Sequence, residues 1–556
     1  MIRRERAVAG GVALAWAALG VGVGWPLVRL AAELDGASLD ALGNAALWRA
    51  AVNTGLLSLG VTAFSVIGGV PLGLLVARTD LPGAARWRAL WTLPYLVPPL
   101  VMAVAWVALL NPSNGALNVQ LRAVGAPGVD LYGLGGMVWI LGLELLPLVA
   151  LATADAAARS DPSLEEAARV AGATPIQVLR RVTLPLLAPA VAEASGAVLA
   201  SSAASFGVPY LLATGGTTPA PVLTTFIYQS LDLAPRDGRP PALAACAVLL
   251  AFGLGFPALA RRAAARWAVP HIGGKAARPS TVPLGRWRWP IAATLAAMWS
   301  FAVLLPLVTL AATSLLVSFG KGYQLDNLGL EPWFHTLGRP AIRQALVRSL
   351  VVAAGAATAA TAVGVGVALL AERTEAWGRR ALLVAARAPY AVPGTVLALG
   401  MLLAWSQEIR WIVGERVTFA LSLSGTAWLV GLAWAVKFLA IPTGGAVAAL
   451  ASVDRSLEEA ARVAGTTAVG AWRRVTLPLL RADVGTAWLL VFLPAVSEVT
   501  LAILLCGPES RVLGAALFEL QTYGDPPGAA VLSVLTAAVV LAGNAALRWI
   551  AGRDHG

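Results

Sequence analysis

The segment DPSLEEAARVAGATPIQVLRRVTLPLL, Asp161 to Leu187, returns as DRSLEEAARVAGTTAVGAWRRVTLPLL, Asp454 to Leu480. Register holds without a gap: Glu166 maps to Glu459, Gly172 to Gly465 and Pro185 to Pro478, each at an offset of 293. A polar segment repeated this closely in a chain that is 58% hydrophobic marks two structural halves. Each copy reads as helix–turn–helix. Ser163 with Glu166, and Ser456 with Glu459, have capping-box spacing. Gly172 and Gly465 supply the left-handed residue that closes a helix. Thr174 before Pro175 restarts one, because Pro suits the first helical position. The second copy has Thr466 and Thr467 but no Pro, a weaker restart signal.

These residues carry a resemblance. Glu-Ala-Ala, a Gly six residues after the Glu and the Pro of Leu-Pro thirteen further on resemble the EAA loop of ABC-importer permeases. In that family the loop is a cytoplasmic coupling helix docked on the ATP-binding subunit. The resemblance implies that role for Glu166, Ala167, Ala168, Gly172 and Pro185, and for Glu459, Ala460, Ala461, Gly465 and Pro478.

The bulk composition sets the class. The chain has 556 residues, a mean hydropathy of +0.75 and 13% charged residues, against about a quarter in soluble domains. Twelve apolar runs are long enough to span as helices. They fall near 8–30, 51–77, 89–110, 133–153, 188–214 and 241–260, then 290–313, 346–371, 382–406, 423–446, 483–506 and 527–548. The expected fold is an all-α membrane protein of about twelve transmembrane helices in two parallel six-helix repeats. Residues 1–260 and 290–556 form the two permease domains, joined by a basic linker at 261–289. The run after MIRRER reaches Leu30, too long for a signal h-region, so a retained first span is expected. Other matches extend the repeat at an offset of 295. Arg78-Thr79-Asp80 aligns with Arg373-Thr374-Glu375, and Pro94-Tyr95 and Pro98 with Pro389-Tyr390 and Pro393.

The net charge of +12 is distributed as a loop bias. With the N-terminus inside, Arg3, Arg4, Arg6, Arg86, Arg88, both loop copies and the cluster from Arg261 to Arg288 all fall on the cytoplasmic side. Both termini are then cytoplasmic in a bacterial inner membrane. No basic face with interleaved aromatics on a polar domain points to nucleic acid. Cys246 and Cys506, and His271, His335 and His555, are too scattered for a disulfide framework or a metal site.

Ionisable residues at membrane depth are costly and mark function. Glu144 in the fourth span and Lys437 in the tenth are equivalent by the 293 offset, and opposite charge predicts a pair across the halves. Glu193, Glu498 and Phe206 lie in the spans following the loops, and Glu144, Lys437, Glu498 and Phe206 are the candidates for the translocation path. Pro98, Pro99 and Pro393 are expected to break their helices.

No G-x-x-x-x-G-K-[ST] loop, nucleophile–base set or metal spacing occurs, so the expected role is non-enzymatic. No cofactor is expected on this chain; the resemblance places ATP and Mg on two copies of an ATPase subunit at the EAA loops. It also implies a periplasmic substrate-binding protein, within a lipid bilayer. SFGKGYQLDNLGLEPWFHTL and LTTFIYQSLDL resemble the ferric-iron permease subfamily, with thiamine, phosphonate and polyamine permeases as alternatives. A twelve-span secondary transporter matches the span count but gives no reason for two capped helix pairs. A structural membrane scaffold has no specific feature in its favour.

Overall fold

A computed structural model describes residues 2–213, 219–233, 237–267, 281–375, 377–406, 409–413 and 416–553. Among the described residues, eight helices are long and apolar enough to cross a membrane, and four bent helix pairs bring the number to twelve if each is one span. Their positions follow the twelve apolar runs. Large apolar side chains such as Ile67, Leu56 and Val351 are exposed along them, as a lipid-facing surface requires. One antiparallel hairpin, Ile409–Val413 with Arg416–Leu421, interrupts the helical pattern.

Proline decides two of the bends. Ala84–Leu96 meets Pro99–Leu110 at 93°, and Arg379–Ala391 meets Gly394–Trp405 at 109°. Val97 and Val392, each before a proline, are extended at ψ 131° and 126°. The proline ring clashes with a helical residue before it, so the chain must turn there. The expectation for Pro98, Pro99 and Pro393 is met.

The fifth and eleventh spans differ from expectation. The fifth is helical from Pro175 to Ala204 and does not run on to 214; a short helix restarts at Gly207–Leu212. The eleventh ends at Val496 and restarts at Thr500–Leu505. Polar groups take over at both breaks. Thr224 Oγ1 donates to the Ser205 carbonyl (2.8 Å), and Glu498 Oε2 accepts from the Leu501 amide (2.8 Å). Side-chain capping of this kind is invisible to a hydropathy window.

Packing divides the chain into two compact units, Asp40–Leu330 and Met1–Leu39 with Glu331–Gly556. The cut therefore falls away from the basic linker, and each unit holds one initial span encoded with the other half. In the first unit, Trp299 Nε1 donates to the Leu90 carbonyl (2.9 Å), Tyr323 hydroxyl to that of Ala108 (3.2 Å), and Phe301 packs edge-on against Trp106. In the other, Trp25 Nε1 donates to the Ala404 carbonyl (3.3 Å). Helices Ala45–Arg78 and Leu134–Arg159 approach closely where Gly73 faces Ala150; a Cβ there would lie 2.5 Å from the Ala150 oxygen. Small residues at such crossings are how helices pack without a hydrophobic driving force.

Of the linker, 261–267 continue the helix Arg239–Trp267, while 268–280 lie outside the described residues. Beyond them the Val282 amide donates to the Arg78 carbonyl (2.8 Å) and the Leu284 amide to Asp80 Oδ1 (2.6 Å).

Candidate functional site

Each repeated segment folds as a short amphipathic helix, a glycine turn, a second short helix and a π-helical turn leading into a span. The first copy runs through Ser163–Val170, Pro175–Val178 and Leu179–Thr183. The second runs through Arg455–Val463, Ala468–Ala471 and Trp472–Thr476.

The capping boxes expected at Ser163–Glu166 and Ser456–Glu459 do not form. Asp161 Oδ1 instead accepts from the Ser163 amide, and Asp454 Oδ1 from the Ser456 amide, both at 2.9 Å. These bonds, with a further one from the serine side chain, hold both carboxyls below the usual aspartate range. The helices begin early enough that Glu166 and Glu459 lie beyond reach of the cap. A capping box does form one helix later. Thr174 Oγ1 accepts from the Gln177 amide (3.4 Å), while Gln177 Oε1 accepts from the Thr174 amide (2.8 Å). The second copy restarts without proline, Thr467 Oγ1 accepting from the Gly470 amide (3.1 Å).

Both glycine turns are as read. Gly172 and Gly465 have φ of 86° and 90°. The Gly172 amide donates to the Arg169 carbonyl and the Ala173 amide to that of Ala168; Gly465 to Arg462 and Thr466 to Ala461 repeat the pair. This is the Schellman pattern, which satisfies carbonyls left open at a helix end.

The two faces of the first helix differ sharply. Outward lie Glu166 and Ala167 (Glu459 and Ala460), all exposed, with Ala168 and Ala461 half-buried. Beside them are the apolar side chains Leu164, Val170 and Ile176, and at the 293 offset Leu457, Val463 and Val469, all exposed. Val170 and Val463 are each 90% exposed. Pro185 is half-buried and Pro478 exposed at the start of the following span. Twice, then, the chain builds a capped helix pair and leaves its apolar edge uncovered.

Inward lies a residue that the motif reading passed over. Glu165 is 5% exposed and Glu458 8%. Thr183 Oγ1 donates to Glu165 Oε1 (2.9 Å) and Arg78 Nη2 lies 3.6 Å from the same oxygen. Thr476 Oγ1 donates to Glu458 Oε1 (2.8 Å) and Arg373 Nε lies 3.0 Å from it. Arg169 adds a second, more exposed cation 3.7 Å from Glu165 Oε2. The signal was present in the identity of Arg78 with Arg373 and of Thr183 with Thr476 across the repeat.

Of the path candidates, the structure joins Lys437 and Glu498. Lys437 Nζ donates to Glu498 Oε1 (2.8 Å), and Trp434 Nε1 to Oε2 (3.3 Å). Lys437 thus finds its carboxylate within its own unit, at the eleventh-span break, and the expected Glu144–Lys437 pair gives way to it. Glu144 is buried in Leu134–Arg159, and its Oε2 has no hydrogen-bond partner among the described residues. Phe206 is buried against the rings of Tyr210 and Tyr228. Glu193 is exposed.

Comparison with known proteins agrees with the repeat. The family described as "Binding-protein-dependent transport system inner membrane component" matches residues 69–269 and 360–553. The probable ABC transporter permease protein y4fN of Sinorhizobium fredii is 26% identical over 92% of this chain and 87% of its own length. The putative ferric transport system permease protein FbpB 1 of Haemophilus influenzae is 24% identical over 84% of this chain and 71% of its own length. The putrescine transport system permease protein PotI of Escherichia coli is 27% identical over 36% of this chain and 70% of its own length. A solved chain from a bacterial ABC transporter importing the polysaccharide alginate covers 48% of this chain and 97% of itself, at 21% identity and a TM-score of 0.41. With the family's domain found twice and over most of its length, the chain belongs to the inner-membrane components of binding-protein-dependent transport systems, as two such domains fused in one multi-pass membrane protein.

Proposed function

We propose that this chain is a fused two-domain permease of an ABC importer in a bacterial inner membrane, with ATP hydrolysed on separate subunits. The observation that carries the reading is the duplicated uncovered face: Leu164, Val170 and Ile176 beside Glu166, and Leu457, Val463 and Val469 beside Glu459. An amphipathic helix with an open apolar edge suits insertion into a groove of a partner. Two equivalent faces suit two copies of one ATPase, each with ATP and Mg. The faces and both termini are then cytoplasmic, and a periplasmic binding protein delivers substrate to the opposite side. Nucleotide-driven closure of the ATPase pair moves the two docking helices and so switches access to the translocation path, for which Lys437, Glu498, Glu144 and Phe206 are the candidates.

Val170→Asp with Val463→Asp tests the docking. The variant is expected to insert normally yet lose co-purification with its ATPase subunit. Retained co-purification would refute the docking face.

Ferric iron is the proposed substrate, supported by similarity to ferric transport permeases along most of the chain. Similarity to PotI over 36% of the chain keeps a polyamine as the second reading. Native purification of the partner binding protein, followed by metal analysis and mass spectrometry, separates the two. Stoichiometric iron supports the first, and a bound polyamine replaces it.

A further inference from the structure

Three chain segments meet at one buried carboxylate, and a fourth joins through the arginine, twice. Glu165 projects from the docking helix and Thr183 closes the π-helical turn that opens the fifth span. Arg78 ends the 34-residue helix Ala45–Arg78. The same arginine donates through Nη2 to Ser160 Oγ, at the end of helix Leu134–Arg159. In the second unit Glu458 and Thr476 repeat the carboxylate and hydroxyl, and Arg373 ends the 34-residue helix Pro340–Arg373. Arg373 Nη2 donates to the carbonyls of Leu450 (2.9 Å) and Val453 (2.7 Å), which occupy the places of Ala157 and Ser160. Side chains of Arg78, Glu165, Arg373 and Glu458 are at most a tenth exposed.

This construction exceeds what a surface loop requires. A buried charge that loses its partner is strongly disfavoured, so such a contact holds its elements together through a movement and does not slide. The π-helical turn is equally specific. It inserts one extra residue into the turn, a device frequent at functional sites, and it ends at the threonine in both copies. The outward face of the same helix is the one assigned to the ATPase.

We infer that Arg78–Glu165–Thr183 and Arg373–Glu458–Thr476 are transmission latches, which make the docking helix move as one body with the ends of the second, fourth and fifth spans of its half of the chain. Glu165 and Glu458 are positioning residues that carry the ATPase stroke into the membrane helices, whereas Glu166 and Glu459 receive it at the surface. The inference rests on the docking reading above.

Hydrogen–deuterium exchange on the full chain in nanodiscs, assembled with its ATPase and compared with and without ATP–Mg, tests it without knowledge of the substrate. In wild type, nucleotide should change exchange both at 161–178 and at 72–78, with the same pattern at 454–471 and 367–373. In Glu165→Gln with Glu458→Gln, the response at the docking helices should persist while that at 72–78 and 367–373 is lost. Thr183→Val with Thr476→Val keeps every charge and should reduce the same response; Thr183→Ser with Thr476→Ser should restore it. Should the glutamine variant fail to assemble, the valine and serine pairs decide alone. An undiminished response at the span ends in the valine pair would overturn the latch and leave the docking reading intact. An absent wild-type response at the docking helices would overturn both.

Discussion

Lys437 and Glu498 form an ion pair, Nζ to Oε1 2.8 Å, at a place where the other half of the chain carries Glu144 and Ser205. The repeat has thus kept its backbone and diverged in charge. The pair forms because the helix stops at Val496 and the carboxylate caps the restart at Thr500, turning it toward the tenth span. Lys437 remains 23% exposed at its side chain, whereas Glu498 is almost wholly enclosed.

Removing one partner leaves an uncompensated charge, which commonly costs about 3–5 kcal/mol, whereas replacing both is far milder. Partial exposure of Lys437 places the expected loss toward the lower end. Lys437→Met or Glu498→Gln alone should lower the thermal midpoint in detergent more than the double substitution does. Glu498→Gln should be the milder of the singles, since an amide oxygen still caps the Leu501 amide. Strictly additive midpoints would show that the two act independently.

Glu166 and Glu459 make no capping box, so alanine at both positions should leave the helices within about 0.5 kcal/mol of wild type. Association with the ATPase should nevertheless weaken, by up to about 1 kcal/mol per site, or at most roughly thirtyfold in Kd over both. Circular dichroism and a titration with the ATPase subunit check the two halves of this statement. A Kd equal to wild type would remove both residues from the interface.

Gly172 and Gly465 have open space where a side chain would go, so their constraint is φ alone. Gly172→Ala with Gly465→Ala should cost about 1–2 kcal/mol per site. Amide exchange at these helices should accelerate by roughly five- to thirtyfold for about that cost, with the spans unaffected. Unchanged exchange would mean that the turns can close another way.

The caps at Asp161 and Asp454 act as carboxylates whose folded-state pKa is lowered by the serine amides. A lowered pKa means that the stabilisation is fully present above the unfolded value near 3.8 and is lost as pH falls through the folded one. Amide protection of the docking helices, corrected for intrinsic exchange, should hold down to about pH 4 and decline below it. Asp161→Asn with Asp454→Asn should abolish that decline, because Asn caps as well without titrating. A decline that persists in the asparagine variant would place its origin elsewhere.

What the sequence disclosed depended on the kind of signal. Repetition exposed the two capped helix pairs, and proline exposed the bends at Pro98 and Pro393, because both are properties of single residues in order. Hydropathy exposed the spans but ran straight through Ser205 and Ser497, since the groups that end those helices arrive from Thr224 and Glu498. The adjacent glutamates at 165 and 166 were indistinguishable by type. Only the helix phase, which buries one against Arg78 and turns the other outward, separates their roles. Lys437 could be recognised as needing a counter-ion, but the carboxylate it takes depends on a helix break that no periodicity records.

The exchanged first spans fix an order of events during synthesis. Residues 1–39 leave the ribosome well before the partners they pack against, which begin at Glu331, so their helix must wait in the bilayer for some three hundred residues to be made. The unit Asp40–Leu330, by contrast, is complete once its last span emerges. A chain severed within the basic connector would yield two fragments, neither containing all of a unit. Joining the halves in one polypeptide therefore guarantees that the waiting helix meets its partners at matched number and high local concentration.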